Sequence, residues 1–152
     1  MTTQSKMRRL RRTRRGNSAL ELAIAASLLL HLFLGVADFG RVFYTAIEVT
    51  NAADAGALWG AQNVGRAGDI DGMIRAARAD APEVSNMSVT ASKFCTCPNG
   101  NAVACSPSAC GSGVKTRYYV RVTTQKTFQT LARYPGVPSS SNITKTTTLR
   151  VQ

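Results

Sequence analysis

A glycine and a glutamate at the start of an apolar stretch are the residues whose types and spacing best suggest a chemical role. Gly16 ends a basic N-terminal segment, and Glu21 follows five residues later, where the apolar stretch begins. An acidic side chain at the centre of a bilayer costs about 2.5 to 3.5 kcal/mol, so an acid in the first turn of a membrane segment indicates a function. The function expected is electrostatic, because a buried charge is tolerated only when it is paired.

Groups suited to catalysis are scarce. The chain has one histidine, His31, which lies within the apolar stretch, and no Asp or Glu follows residue 83. The sequence contains no glycine-rich phosphate loop and no paired carboxylates of the kind that general acid and base catalysis needs. We therefore predict that the protein is not an enzyme and needs no cofactor, and that His31 forms hydrogen bonds between helices rather than binding a metal.

Four cysteines lie close together in the C-terminal half. Their spacing does not match that of zinc fingers, so disulfides are predicted, with no metal, and hence an exported domain. Cys95 and Cys97 point to the same side of a strand, so each is expected to bond Cys105 or Cys110. The turn at residues 98–100 favours a nested pattern, with Cys97–Cys105 inside Cys95–Cys110, and the crossed pattern is the second choice.

A long helix must position Glu21. The sixteen residues 22–37, which are apolar except for Ser27 and His31, would span roughly 24 Å, which is short of the ~30 Å hydrocarbon core. Residues 39–62 contain no proline, and apolar or small residues recur there at spacings of three and four. One helix is therefore predicted from about Ser18 to about Gln62.

Small residues in the second half of this helix predict where the rest of the chain packs. Gly56 and Gly60 each cost a helix about 1 kcal/mol relative to alanine, which suggests that another backbone comes close at these positions. Trp59, between them, is predicted to be a core aromatic residue.

The remaining sequence predicts a small α+β head. Asp69 to Ala81 has the pattern of a short helix with Asp69 as its N-cap. Alternating inward and outward residues then predict a three-stranded antiparallel sheet, with strands at Val84–Phe94, Arg117–Phe128 and Asn142–Val151. The predicted organisation is a basic leader (1–16), a transmembrane and stalk helix (17–62) and the head (63–152).

Charge is divided along the chain. The leader contains seven Lys/Arg and no acid, residues 17–83 contain eight Asp/Glu and four Lys/Arg, and residues 84–152 contain eight Lys/Arg and no acid. The basic leader is expected on the cytoplasmic side of a membrane. A basic head beside an acidic stalk predicts either attraction between neighbouring subunits or attachment to an anionic surface, whereas the alternative is an ordinary solvated face.

Two segments resemble known families. Gly16 to Leu22, GNSALEL, resembles the cleavage site of type IV prepilins and pseudopilins, in which a membrane peptidase cuts after the glycine. Glu21 to Ala61 resembles the TadE-like family of the tight-adherence (Tad/Flp) pilus systems. The residues that carry this second resemblance are Asp38, Phe39, Gly40 and Arg41, followed by Thr50, Asn51, Ala52 and Ala53.

The resemblance implies a pseudopilin or minor pilin that takes part in pilus assembly, adhesion or secretion. Cleavage would create a new amine at Asn17, which Glu21 of a neighbouring subunit could neutralise. The implied partners are a prepilin peptidase, other pilins and pseudopilins, the inner-membrane assembly platform and membrane lipid. The implied location is the bacterial inner membrane, as a single pass with the head outside the cytoplasm, with incorporation into an extracellular pilus as a further possibility.

Two other interpretations remain open. Gly35, Val36 and Ala37 satisfy a small-x-small cleavage rule, so the protein could be a secreted or periplasmic binding protein whose signal peptide is cut before Asp38. Against this, Glu21 would interrupt the apolar region of such a signal. A nucleic-acid binder would use the arginine-rich leader, but that function leaves the leucine-rich stretch unexplained, so we expect no nucleic-acid partner.

Overall fold

The computed structural model describes the backbone of residues 5–152 and the side chains of residues 17–152. The first four residues of the predicted leader, and the side chains of its remainder, lie outside the described residues. The chain divides into two compact units, Met1–Gly40 and Arg41–Gln152.

The helix α1 spans Ser5–Ala61. Its end agrees with the predicted end near Gln62, but it begins well before the predicted start at Ser18. The leader is rich in Arg, Lys, Met and Leu, which favour helix, and contains no proline, so it lacks a residue that would stop the helix.

Two short helices follow α1. The helix α2 spans Val64–Gly68, and the side chain of Asn63 caps it by accepting from the backbone N–H of Arg66 at 2.9 Å. The helix α3 spans Ile70–Asp80. Its predicted N-cap is confirmed, because the carboxylate of Asp69 accepts from the backbone N–H of Gly72 at 2.8 Å.

An antiparallel sheet makes up the rest of the C-terminal unit. Its strands are β1 (Ser88–Thr96), β2 (Ala102–Val103), β3 (Arg117–Gln129) and β4 (Ser140–Arg150), in the order β2-β1-β3-β4. The α+β class and the three long strands agree with the prediction, but the sheet has four strands rather than three. The additional strand β2 is two residues long, too short to show an alternating pattern, and it forms because a tight turn at 98–100 folds the chain back onto β1.

The core of the C-terminal unit lies between one face of the sheet and the helices. The strand β3 runs antiparallel to the second half of α1, so that its residues from 128 to 120 lie beside helix residues from 41 to 60. Fully buried apolar side chains in this layer come from all three helices and β3; they are Val49, Ala52, Ala53, Ala57, Ala67, Met73, Ala77, Val120 and Val122.

The predicted close approach at the two helix glycines is confirmed. A Cβ atom at Gly56 would lie 2.9 Å from the carbonyl oxygen of Met73, and one at Gly60 would overlap the Met73 side chain. The absence of a side chain therefore lets α3 reach α1 at these positions. Trp59 packs against the core but remains partly exposed, with the guanidinium of Arg66 5.1 Å from its ring centre.

Candidate functional site

The residues of the predicted cleavage and assembly site lie on a continuous helix. Gly16, Asn17 and Glu21 all belong to α1, and the side chains of Asn17 and Glu21 are exposed. Because they are four residues apart, Asn17 and Glu21 share one face of the helix and are separated by a rise of about 6 Å. A new amine at Asn17 would therefore lie one helical turn from the carboxylate of Glu21 in the same chain.

The apolar stretch after Glu21 presents its side chains outward. Leu22, Ile24, Leu28 and Phe33 are each more than 60% exposed. Among the described residues, α1 is long and apolar enough between Asn17 and Ala61 to cross a membrane, and its most apolar part is not buried within the protein. Such a surface needs lipid or other apolar partners, because exposed apolar side chains at this density are unfavourable in water.

The polar residues inside this stretch bond to the helix itself. The hydroxyl of Ser27 donates to the carbonyl oxygen of Ile24 at 2.8 Å, and Nδ1 of His31 lies 2.7 Å from the carbonyl oxygen of Ser27. In this monomer, His31 therefore bonds within its own helix. Its other ring nitrogen, Nε2, would be the atom for the predicted bond between helices.

The first motif that carries the family resemblance, residues 38–41, includes the boundary in the sequence between the two compact units. Asp38 is only 5% exposed, whereas Phe39 is 66% exposed, and a Cβ at Gly40 would meet open space. Arg41 begins the C-terminal unit, and its guanidinium lies 5.2 Å from the ring centre of Phe128 on β3.

The second motif supplies the surface on which the sheet packs. Ala52 and Ala53 are fully buried, Thr50 bonds back to the carbonyl oxygen of Ala46 at 2.8 Å, and Asn51 is exposed. Small side chains here let the sheet approach the helix closely. The two alanines therefore have a packing role in the C-terminal unit, and the exposed amide of Asn51 is available to a partner.

Two polar contacts between the sheet and α1 were missed by the sequence analysis. The hydroxyl of Thr124 donates to the carbonyl oxygen of Val49 at 2.7 Å, and the hydroxyl of Thr147 donates to the carboxylate of Asp54 at 2.5 Å. Both threonines occupy inward positions in alternating strands. Their inward position could have predicted these contacts, since a buried polar side chain needs a hydrogen-bond partner.

The disulfides follow the crossed pattern, and the nested pattern predicted first is wrong. Cys95 bonds Cys105 and Cys97 bonds Cys110, with Cα separations of 5.2 and 5.5 Å. The register of the β1–β2 hairpin explains this result. Cys95 is opposite Val103, two residues before Cys105, whereas Cys97 lies at the turn, where its N–H donates to the carbonyl oxygen of residue 101. Cys105 therefore lies closer to Cys95 than to Cys97.

The charge division does not coincide with the boundary between stalk and head. Asp69, Asp71, Asp80 and Glu83 lie on or beside α3, within the same compact unit as the basic strands. The basic side chains of the sheet are themselves divided between its two faces.

The structure thus defines a class of protein with one long N-terminal helix and a disulfide-bonded α+β head. The first part of the helix is able to span a membrane, and its second half packs against the sheet of the head. Residues 16–58 match the family model described as TadE-like protein. This match covers 43 of the 152 residues and confirms that this segment resembles the TadE-like family. No curated protein and no solved structure matches the chain significantly.

Proposed function

We propose that the protein is a pseudopilin or minor pilin of a Tad-type pilus system, cleaved after Gly16 and assembled through the helix of residues 17–62. The observation that carries the proposal is the overlap between the TadE-like match and α1. The matched residues 16–58 include the exposed apolar part of the helix and the surface on which the head packs.

The proposed chemistry at the N-terminus is charge pairing. Cleavage after Gly16 would leave an ammonium group at Asn17 next to an apolar helix, and a charge taken into such a setting needs a partner. Glu21 lies one turn along the same exposed helix face. A neighbouring helix of the same kind, shifted along its axis, would bring its own Glu21 to this amine.

The proposed location and partners follow from this topology. The apolar part of α1 would hold the precursor in the bacterial inner membrane, with the basic leader in the cytoplasm and the disulfide-bonded head outside. A prepilin peptidase, other pilins and the assembly platform would then act on it in turn. The role is structural rather than enzymatic.

The alternative, a secreted or periplasmic binding protein cut before Asp38, is less well supported. Residues 35–37 lie inside α1, which continues without interruption on both sides. Removal of everything before Asp38 would also discard more than half of the segment that matches the family model.

The mature N-terminus tests the two functions directly. The full chain should be expressed with and without a prepilin peptidase, and its mass and N-terminal residue measured after recovery from membranes. We expect a peptidase-dependent chain beginning at Asn17.

Two matched glycine substitutions identify which peptide bond is cleaved. Gly16→Leu should abolish it, whereas Gly35→Leu, which would block a signal peptidase by placing a large residue in the small-x-small site, should leave it unchanged. A chain beginning at Asp38, lost in Gly35→Leu, would overturn the proposal in favour of the signal peptide.

A further inference from the structure

The sheet has one face that takes no part in the core, here named the outer face. Alternation along β1, β3 and β4 assigns its residues, and side-chain contacts confirm the assignment. Thr123 bonds Thr146 at 2.8 Å across β3 and β4, and Thr127 bonds Asn142 at 2.8 Å. Thr124, the neighbour of Thr123, points to α1 on the other side.

Three arginines lie together on the outer face. Arg117 and Arg121 are two residues to either side of Tyr119 on β3, and Arg150 is directly opposite Tyr119 on β4. Neighbours in these relations have Cα atoms separated by roughly 5 to 7 Å. The positions of the three arginines therefore surround that of one tyrosine.

These arginines are not neutralised by the strands around them. Residues 84–152 contain no acidic side chain, and none of the three arginines has an ion pair within the described part of the chain. Arg121 is oriented instead by neutral groups, since its guanidinium lies 4.8 Å from the ring centre of Phe94 and its Nε lies 3.4 Å from the hydroxyl of Thr148. The cluster therefore presents positive charge to an external anion.

Hydroxyl groups cover most of the remaining outer face. None of the large hydrophobic side chains that are exposed in the described residues belongs to β1, β3 or β4. A ligand on this face would therefore meet guanidinium groups at one end and an array of hydrogen-bonding hydroxyl groups beyond it. The threonines of this array are Thr90, Thr123, Thr127, Thr144, Thr146 and Thr148.

The two aromatic rings of the outer face pack against each other and against an arginine. Phe94 and Tyr119 stack on each other, with ring centres 5.3 Å apart, and Arg121 lies over Phe94. Proteins that bind single-stranded nucleic acid rely largely on open aromatic faces. Proteins that bind a membrane surface rely on apolar side chains that insert into it. The outer face offers charge and hydroxyl groups instead.

We propose that the outer face binds an acidic polysaccharide, with the carboxylates of successive uronate residues on Arg117, Arg121 and Arg150 and the sugar hydroxyls on the threonine array. Guanidinium groups match carboxylates in geometry, and the repeated hydroxyls of the sheet can bond the repeated hydroxyls of a sugar chain. The proposal rests on the exported head of the proposed function, but not on cleavage or pilus assembly.

Arginine footprinting of the full chain in a neutral detergent would test this directly. The protein is treated with phenylglyoxal in the presence and absence of oligogalacturonate, and modification is measured at each arginine by mass spectrometry. We expect at least about fivefold protection of Arg117, Arg121 and Arg150. Equal protection of Arg75, Arg78 and Arg133 would overturn the proposal, because it would indicate general attraction of a polyanion.

Charge-matched variants test the affinity. The triple variant Arg117→Gln, Arg121→Gln and Arg150→Gln should bind immobilised polygalacturonate about tenfold or more weakly, since several exposed ion pairs are lost together. The control with Arg75→Gln, Arg78→Gln and Arg133→Gln has the same net charge and the same leader, and should change binding less than about threefold.

Competition experiments distinguish a polysaccharide ligand from nucleic acid and anionic lipid. Oligogalacturonate should displace the protein from polygalacturonate, whereas neutral dextran should not. Stronger displacement by oligothymidylate, or by vesicles containing phosphatidylglycerol, would overturn the assignment to polysaccharide. The mature N-terminus is measured separately, so failure here leaves the pilin proposal standing, and a failure of cleavage leaves this binding result interpretable.

Discussion

Thr124 of β3 donates its hydroxyl hydrogen to the backbone carbonyl oxygen of Val49 on α1, at 2.7 Å, and both residues are completely buried. This bond links residues that are 75 positions apart in the sequence. It lies at the centre of the contact between the sheet and the helix, where the neighbouring side chains are aliphatic. One polar contact of this kind restricts how the strand can slide along the helix, because a displaced hydroxyl would be buried without a partner.

We predict that Thr124→Val lowers the free energy of unfolding by about 1 kcal/mol, since the hydrogen bond is lost while the side-chain volume is kept. Thermal unfolding of the full chain in detergent, followed by circular dichroism, should show a Tm lower by about 3 to 5 °C. Thr123→Val, which removes a hydroxyl from the outer face, is the matched control and should change the Tm by less than half as much. Equal effects of the two substitutions would contradict a special role for the buried bond.

The packing of α3 on α1 predicts a cost for any side chain at Gly56. A Cβ atom there would lie 2.9 Å from the Met73 carbonyl oxygen and 3.1 Å from Cβ of Ala77, so the backbone of α3 must move. Overpacking of this kind costs about 1 to 3 kcal/mol, whereas the gain in helix propensity is about 1 kcal/mol. We therefore expect Gly56→Ala to lower the free energy of unfolding by up to about 2 kcal/mol.

Gly40→Ala provides the comparison, because nothing lies within 4 Å of the added Cβ. It should leave the thermal midpoint unchanged or raise it. If Gly56→Ala were as stable as Gly40→Ala, the close approach of α3 would not limit the packing.

The disulfide connectivity can be tested with paired substitutions. No lysine or arginine lies between residues 94 and 114, so trypsin leaves all four cysteines in one peptide and cannot separate them. The double variant Cys95→Ser and Cys105→Ser should contain no alkylatable thiol, because Cys97 and Cys110 remain bonded. The double variant Cys95→Ser and Cys110→Ser should expose two thiols. The opposite result would restore the nested pattern.

Each disulfide closes a short loop, worth roughly 3 kcal/mol in the chain-entropy model. Loss of either bond should therefore lower the Tm by more than Thr124→Val does. A smaller effect would indicate that the hairpin keeps its shape without the bond.

The proposed charge-pairing role of Glu21 predicts a defect in assembly rather than in membrane insertion. Glu21→Gln keeps the shape of the side chain and removes its charge, and Glu21→Ala removes both. Both variants should insert into the membrane and be cut after Gly16, but they should be reduced at least about tenfold in sheared pilus fractions, measured by immunoblot. Normal incorporation of either variant would refute the pairing role.

Glu48→Ala is the control for this experiment, because it removes an acid from the same helix outside the apolar stretch. It should assemble at the level of the unaltered chain. A similar defect in Glu48→Ala would mean that assembly depends on the total charge of the helix.

The sequence by itself determined the elements whose signals are local. The end of α1, the Asp69 cap of α3 and the three long strands were all predicted, because helical periodicity, capping residues and alternation act over a few neighbouring residues. The two helix glycines also indicated where the head would pack. The strand β2 and the helix α2 were missed because two and five residues are too few to show a period.

The tertiary structure decided everything that depends on which distant residues meet. The cysteine pairing followed from the register of a hairpin whose second strand is only two residues long. The register between β3 and β4 placed Arg150 opposite Tyr119, so that three arginines spread along the sequence form a cluster on one side of the sheet. Pairings of this kind depend on the three-dimensional register of strands and helices, and no local pattern in the chain encodes that register.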